Sequence, residues 1–303
     1  MSPCFGAGLW RLADPKVSLA SFSGIVLGAC AAARDGPVSI PWLLLTVLGI
    51  FAIEVAKNAS GEIVDFDSGA DLAVAPEDRS PFSGGKRVLV DGLLTRRQTA
   101  AIAAIFYAAG IATGLWIVFA RARQVLPLGI LGVATALFYH SRPLRLAYRG
   151  LGEAAVGFAY GPLVVSGTYL VQRGRVEVWV VWLSVALGLE IADFLVVNEF
   201  PDARTDAQAG KRTLVVRLGR ARAATLFALL AAAAFGALLL APLAGAPAAV
   251  WLGLAGAFPA ARAAVVLSTH PDTTPRIIPA QRLALLAFLL LAVGAGLGLL
   301  IGR

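Results

Sequence analysis

Residues 177–219 read EVWVVWLSVALGLEIADFLVVNEFPDARTDAQAGKRTLVVRLG. The first half, 177–197, is an apolar run of the roughly 20 residues that cross a bilayer as a helix. The second half, 198–219, gathers Glu199, Asp202 and Asp206 with Arg204, Lys211, Arg212 and Arg217. The junction between the halves decides the fold class. It reads as a helix in lipid that ends in a charged segment facing water.

The rest of the chain repeats that contrast. Of the 303 residues, 58% are hydrophobic and 15% charged, with a mean hydropathy of +0.79. A soluble domain carries about 25% charged residues, so lipid is the natural solvent for much of this chain. Nine segments are candidate spans, most of them near bilayer length: 15–34, 41–60, 98–120, 125–141, which is short and needs tilt or extension by its neighbours, 152–171, 177–197, 222–242, 247–267 and 282–301. Backbone groups in lipid have no water to pair with, which favours helices. The expected fold is an all-α integral membrane protein, a bundle of about nine transmembrane helices forming one domain over 1–303. Abundant Gly and Ala within the runs allow close helix contact. Cys4 and Cys30 indicate neither a disulfide framework nor a cysteine metal site. The first apolar run reads as a retained helix rather than a cleaved signal.

The formal charge of +8 is explained by topology rather than by nucleic acid, which is not an expected partner. With the N-terminus in the cytoplasm, 19 of the 26 Lys and Arg residues fall on the inner side, six on the outer, and Lys57 near a helix end. That bias matches the positive-inside rule and implies N-in, C-out placement in a bacterial inner (cytoplasmic) membrane. The long charged connections, 61–97 and 198–221, then lie on the cytoplasmic side.

Each of those connections begins with an oxygen-rich cluster. Asn198, Asp202 and Asp206 recur every four residues and share a face if the helix continues past residue 197. Pro201 argues for a break and a renewed helix. In KNASGEIVDFDSGAD, residues 57–71, Asn58, Glu62 and Asp65 fall on one helical face, and Asp71 follows Gly69. Carboxylate and amide oxygens suit a hard cation such as Mg2+, and a bound cation inverts the local charge so that an anion can be held. A diphosphate is the natural anion, with Lys86, Arg87, Lys211 and Arg212 adding donors. Beside a greasy bundle in contact with membrane lipids, the substrate expected is an amphiphile such as a polyprenyl diphosphate.

These motifs, in this order and spacing, resemble the UbiA superfamily of intramembrane prenyltransferases, and most closely its 1,4-dihydroxy-2-naphthoate polyprenyltransferase branch. NEFPDARTDAQAGKRTLVVRLG is similar to the second Asp-rich motif, with Asn198, Asp202 and Asp206 at metal positions and Lys211 following. GEIVDFDSGAD is similar to the first at Asp65 and Asp71, while YRGLGE (148–153) and GTYLVQ (167–172) resemble the naphthoate branch. Three features depart from the family pattern. Gly61-Glu62 stands where the first motif begins Asn-Asp, Glu199 stands where Asp is common, and PFSGGKRVLVDG (81–92) matches the usual loop only approximately.

The resemblance implies Mg2+-dependent transfer of a polyprenyl group to an aromatic acceptor, with loss of carbon dioxide when the acceptor is dihydroxynaphthoate. Other acceptors in the family are hydroxybenzoate and homogentisate. Asp65, Asp71, Asp202, Asp206 and Lys211 would carry the chemistry, and at Gly61 either Asn58 one turn earlier compensates for the missing Asn or the metal has fewer protein ligands. Arg142, Arg145 and Arg149 would orient the acceptor carboxylate, Glu153 would order a basic partner, and His140 would make a hydrogen bond at a helix end. A transporter usually needs charges or broken helices at the midplane, whereas these clusters lie at helix ends. A noncatalytic lipid-binding protein is the remaining alternative.

Overall fold

The computed structural model describes residues 3–302 and is helical throughout its ordered elements, without strands among the described residues. Eight helices are long and apolar enough to cross a membrane, and a ninth apolar helix is shorter. The chain is an integral membrane helical bundle. After an amphipathic helix α1 (Pro3–Ala13), the eight long helices are α2 (Pro15–Arg34), α3 (Ile40–Asp67), α4 (Arg96–Ala120), α6 (Gly152–Arg173), α7 (Val178–Gln208), α8 (Arg220–Ala244), α9 (Ala248–Thr269) and α10 (Thr274–Ile301), and the shorter apolar one is α5 (Val125–His140). All nine segments read from the sequence are helices, eight of them of spanning length. Helix α1 was not foreseen; Leu12 on it packs with Val55, Val88, Leu94 and Ile102 in a small core separate from the main one. Arg303 and the side chain of Cys4 lie outside what the structure describes.

Two helices run well past their apolar segments. Helix α3 has 28 residues and α7 has 31. At about 1.5 Å per residue they reach roughly 42 and 46 Å, against a hydrocarbon core about 30 Å thick. The excess of each is polar, and it carries the two acidic clusters. The break expected at Pro201 does not occur, because α7 passes through it unbroken. Pro201 leaves the Val197 carbonyl without its ladder donor, but Val197, Phe200 and Pro201 are all buried, so packing carries the helix through the proline.

Glycines let the helices approach where α6, α7, α9 and α10 meet. A Cβ on Gly161 of α6 would collide with the Ser184 carbonyl and Gly188 of α7, and one on Gly298 of α10 would collide with the Ala249 carbonyl of α9. Such backbone contact replaces the hydrophobic drive that is absent between helices in lipid. At the end of the bundle away from the acidic clusters, short connections are tied by Arg121 to the carbonyls of Val171 and Gln172, and by Tyr169 to Asp35. The other end is left to long segments and to the site.

Candidate active site

The extended ends of α3 and α7 face one cavity of about 650 Å³. Asn58, Glu62 and Asp65 line it from α3; Asn198, Asp202 and Asp206 line it from α7; and Asp71 closes it from a single helical turn, Ala70–Ala73. The i, i+4, i+8 spacing on α7 works as read because the helix does not restart at Pro201. Lys86, Arg87 and Lys211 also line the cavity.

Lys211 sits between the two motifs. Its Nζ lies 2.9 Å from Asp65 Oδ1 and 3.7 Å from Asp206 Oδ1. The same Asp65 oxygen accepts from the Tyr148 hydroxyl at 3.2 Å. The turn that places Lys211 is closed by its own N–H bonding to the Asp206 carbonyl at 2.8 Å, with Gly210 left-handed before it. These contacts hold the lysine strongly in its charged form, above its ordinary pKa, with Asp65 the larger of the two favourable neighbours against the cost of burial. Asp71 shows the opposite effect. Burial, and then the carboxylates of Asp65 and Glu62, push its carboxyl up to about 7.

Two candidate ligands are partly committed to local structure. The Glu62 carboxylate accepts from the Leu89 N–H at 2.8 Å, and Asn58 Nδ2 donates to the Leu12 carbonyl of α1 at 2.8 Å. The segment 79–91 folds over the cavity. Phe82 stacks edge-on against Phe194 of α7 at 5.9 Å, the Gly84 N–H donates to Asp202 Oδ2 at 3.1 Å, and Lys86 pairs with Asp14 at 2.9 Å. Gly84 and Gly85 are left-handed, and a Cβ on Gly85 would collide with the Asp71 carboxylate. Only glycine lets the loop lie this close to the motif.

Arg145, Arg149 and Arg212 do not line the cavity. Arg145 stacks on the Tyr148 ring at 3.7 Å, Arg149 Nη2 donates to the Pro143 carbonyl, and the Arg212 N–H bonds to the Tyr148 carbonyl. Glu153 accepts from the Leu214 N–H at 2.6 Å, so its partner is backbone rather than a basic side chain. His140 makes no hydrogen bond among the described residues; its ring lines the cavity beside Asp65.

Whether the residues suit a metal is decided by their free atoms. Asn198 Oδ1, Glu199 Oε2 and Asp202 Oδ1 are buried without a hydrogen-bond partner among the described residues. They join Asp65, Asp71 and Asp206 in a donor set of oxygens with more negative charge than Lys211 offsets. Such a set fits a hard divalent cation. Among the described residues, no three His, Cys, Asp or Glu side chains are already drawn together on one point, so a cation would draw on oxygens spread around the cavity.

A second cavity, about 540 Å³ and lined almost wholly by apolar groups of α3, α4, α5 and α6, adjoins the first. Lys57, Tyr139, Val156 and Tyr160 line both. Neither Lys57 nor Tyr160 stands out in the sequence, since each lies inside or at the end of an apolar run. Leu115, Leu126, Ile130 and Leu137 border the apolar cavity and are also exposed on the outside of the bundle.

Fold and site together define an integral membrane protein with a carboxylate-rich chamber at one end of its bundle, adjoining an apolar slot. The chain belongs to the UbiA prenyltransferase family, which it matches over residues 22–291, and it is a prenyltransferase. It is 26% identical to the 1,4-dihydroxy-2-naphthoate octaprenyltransferase of Bacillus subtilis (strain 168), over 74% of this chain and 70% of that one. It is 32% identical to the protein of the same name from Mycobacterium tuberculosis, over 71% of each. Among solved structures, a UbiA homolog from Archaeoglobus fulgidus bound to GPP and Mg2+ superposes with a TM-score of 0.63 at 15% identity, covering 97% of this chain and 99% of that one.

Proposed function

We propose that this protein transfers a polyprenyl group from its diphosphate to a dihydroxynaphthoate-type acceptor, with loss of carbon dioxide. The observation that carries the reading is the pair of cavities meeting at Lys57, Tyr139, Val156 and Tyr160. An amphiphile lying across that junction puts its charged head among the oxygens and its tail in the apolar slot, with the reacting carbon between them. The naphthoate relatives support the choice of acceptor.

Asn198, Asp202, Asp206, Asp65 and Asp71 would hold Mg2+, which when bound supplies charge neutralisation to a departing diphosphate. Lys211 adds a fixed cation to the same end, and Lys86 and Arg87 reach it from the covering loop. At the allylic carbon the C–O bond breaks, its electron pair leaving with the diphosphate. The ring carbon bearing the acceptor carboxylate forms the new C–C bond. Carbon dioxide then departs, and the pair from its bond restores the aromatic ring. The residues' task is to place the ring, hold the charges and keep bulk water away.

Of the four junction residues Lys57 is the cationic one. Its ammonium lies 5.4 Å from the Tyr139 ring centre and makes no hydrogen bond or ion pair among the described residues. We assign it to the anionic oxygen of the acceptor. Tyr139 and Tyr160 present aromatic faces and edges to the ring and to the developing positive charge, which a π-face attracts. By the positive-inside bias the polar chamber faces the cytoplasm.

The test is reconstitution of the purified protein with Mg2+, a long-chain prenyl diphosphate, and dihydroxynaphthoate, hydroxybenzoate or homogentisate. Mass spectrometry follows the product and a trap follows carbon dioxide. Prenylated, decarboxylated product from dihydroxynaphthoate alone is the expected result, and Lys57→Met should raise its KM more than it lowers kcat. Transfer only to hydroxybenzoate or homogentisate would reassign the acceptor. No diphosphate release with any of them, from folded protein, would end the proposal.

A further inference from the structure

The first acidic motif lacks a side chain at Gly61, and the structure shows what occupies the space. A Cβ on Gly61 would sit 2.6 Å from His140 Cε1 and 2.7 Å from Nδ1. The imidazole at the end of α5 lies directly against the α3 backbone, a position no other residue at 61 would allow. The ring borders the polar chamber and packs edge-on against Tyr139 at 4.7 Å.

Its polar atoms are unspent. Nδ1 is buried without a hydrogen-bond partner. Nε2 faces Asp65 Oδ2 at 3.9 Å, beyond hydrogen-bond distance. Lys211 and Tyr148 engage the other Asp65 oxygen, Oδ1, so Oδ2 and Nε2 confront each other across a gap. A first-row divalent ion held about 2.0–2.2 Å from a nitrogen and an oxygen allows them to lie up to about 4.4 Å apart. The observed separation falls inside that reach.

We propose that His140 is a nitrogen ligand of the cation held by Asp65, so that Gly61 and His140 together form a mixed nitrogen–oxygen metal position in this chain. The inference rests on the prenyltransferase reading only for the presence of a cation. Exchanging one oxygen for imidazole shifts preference away from Mg2+ toward transition ions such as Mn2+.

The test uses the full chain in detergent micelles or nanodiscs loaded with Mn2+ alone, and pulsed electron paramagnetic resonance to detect directly bound 14N. The chain has two histidines, so the source can be assigned. Wild type and His270→Ala should show imidazole modulation, and His140→Ala should lose it. Gly61→Ala, which drives the ring from its place, should weaken or abolish it. Mn2+ affinity should fall by about tenfold in His140→Ala, the order seen when a metal site loses one of its supporting groups, while Mg2+ affinity changes less. Mn2+ bound to wild type without 14N coupling, coupling that survives in His140→Ala, or no Mn2+ binding at all would each overturn the proposal. Transfer with Mg2+ in the absence of 14N coupling would leave the prenyltransferase reading intact and reject the ligand. Coupling without transfer would do the reverse.

Discussion

Lys211→Met removes the cation that joins the two acidic motifs, and its effect can be worked from the contacts. At an effective dielectric of 20, a charge 2.9 Å from Asp65 and 3.7 Å from Asp206 is worth about 6 and 4 kcal/mol before desolvation. Burial of the ions offsets much of this, and breaking a buried pair typically costs about 3–5 kcal/mol. With about 2.1 cal/mol/K of unfolding entropy per residue, 303 residues give about 0.64 kcal/mol/K, so Tm should drop by roughly 5–8 °C. The lysine's pKa is raised above its ordinary value. Its contribution is therefore complete below about 10.4, the unfolded value, and fades only as pH rises through the higher folded one. A thermal melt in detergent at pH 8 reads the full effect. Saturating Mg2+ should restore most of the loss, because a cation among the same carboxylates replaces the missing charge. A Tm within 1 °C of wild type, or a deficit that Mg2+ leaves unchanged, would show that Lys211 does not balance these carboxylates.

The Asp71 carboxyl, pushed up to about 7, is protonated in the metal-free protein at lower pH. Mg2+ affinity should therefore rise with pH up to about 7 and level off above it, with proton release on binding at pH 6.5 in calorimetry run in two buffers; a flat profile from pH 6 to 8 would exclude Asp71 from the cation's ligands. The same raised value means that its contribution to stability is greatest below its unfolded pKa and is lost as pH climbs through 7. Glu190 and Asp193 are fully buried in α7 with all four carboxylate oxygens unpartnered, and Glu190→Met should stabilise the protein by about 1–3 kcal/mol; a lower melting temperature would reveal a partner that these oxygens serve. Gly161→Val should destabilise by at least about 3 kcal/mol, at or beyond the upper end of ordinary overpacking, because its side chain meets the α7 backbone; normal yield and melting would refute the close approach.

The bundle is legible because eight apolar runs approach bilayer length, with α5 shorter, and charge separates most of them, a signal that needs no tertiary information. The shared face of Asn198, Asp202 and Asp206 is legible from spacing alone. Pro201 misleads because local propensity says nothing of the tertiary packing that buries Val197, Phe200 and Pro201. The arginines of the 142–149 segment look like site residues by charge and position, yet Arg145 is stacked on Tyr148 and Arg149 bonds within its own loop. Lys57 and His140 are hidden for the opposite reason. Each stands alone in its segment, and only the juxtaposition of α3, α5 and α6 gives it neighbours. Gly61 reads as a missing ligand in the sequence, but in the structure it is the space that admits an imidazole from another helix.

The adjoining chambers also sort what leaves. The polar one sits on helix ends that outreach the hydrocarbon, while the apolar one is bordered by side chains exposed on the lipid-facing wall. On the reaction proposed, inorganic diphosphate departs into water and the alkylated ring departs into the bilayer. These two products are in different phases once released, and carbon dioxide leaves as the third, so the reverse reaction lacks its partners at the site.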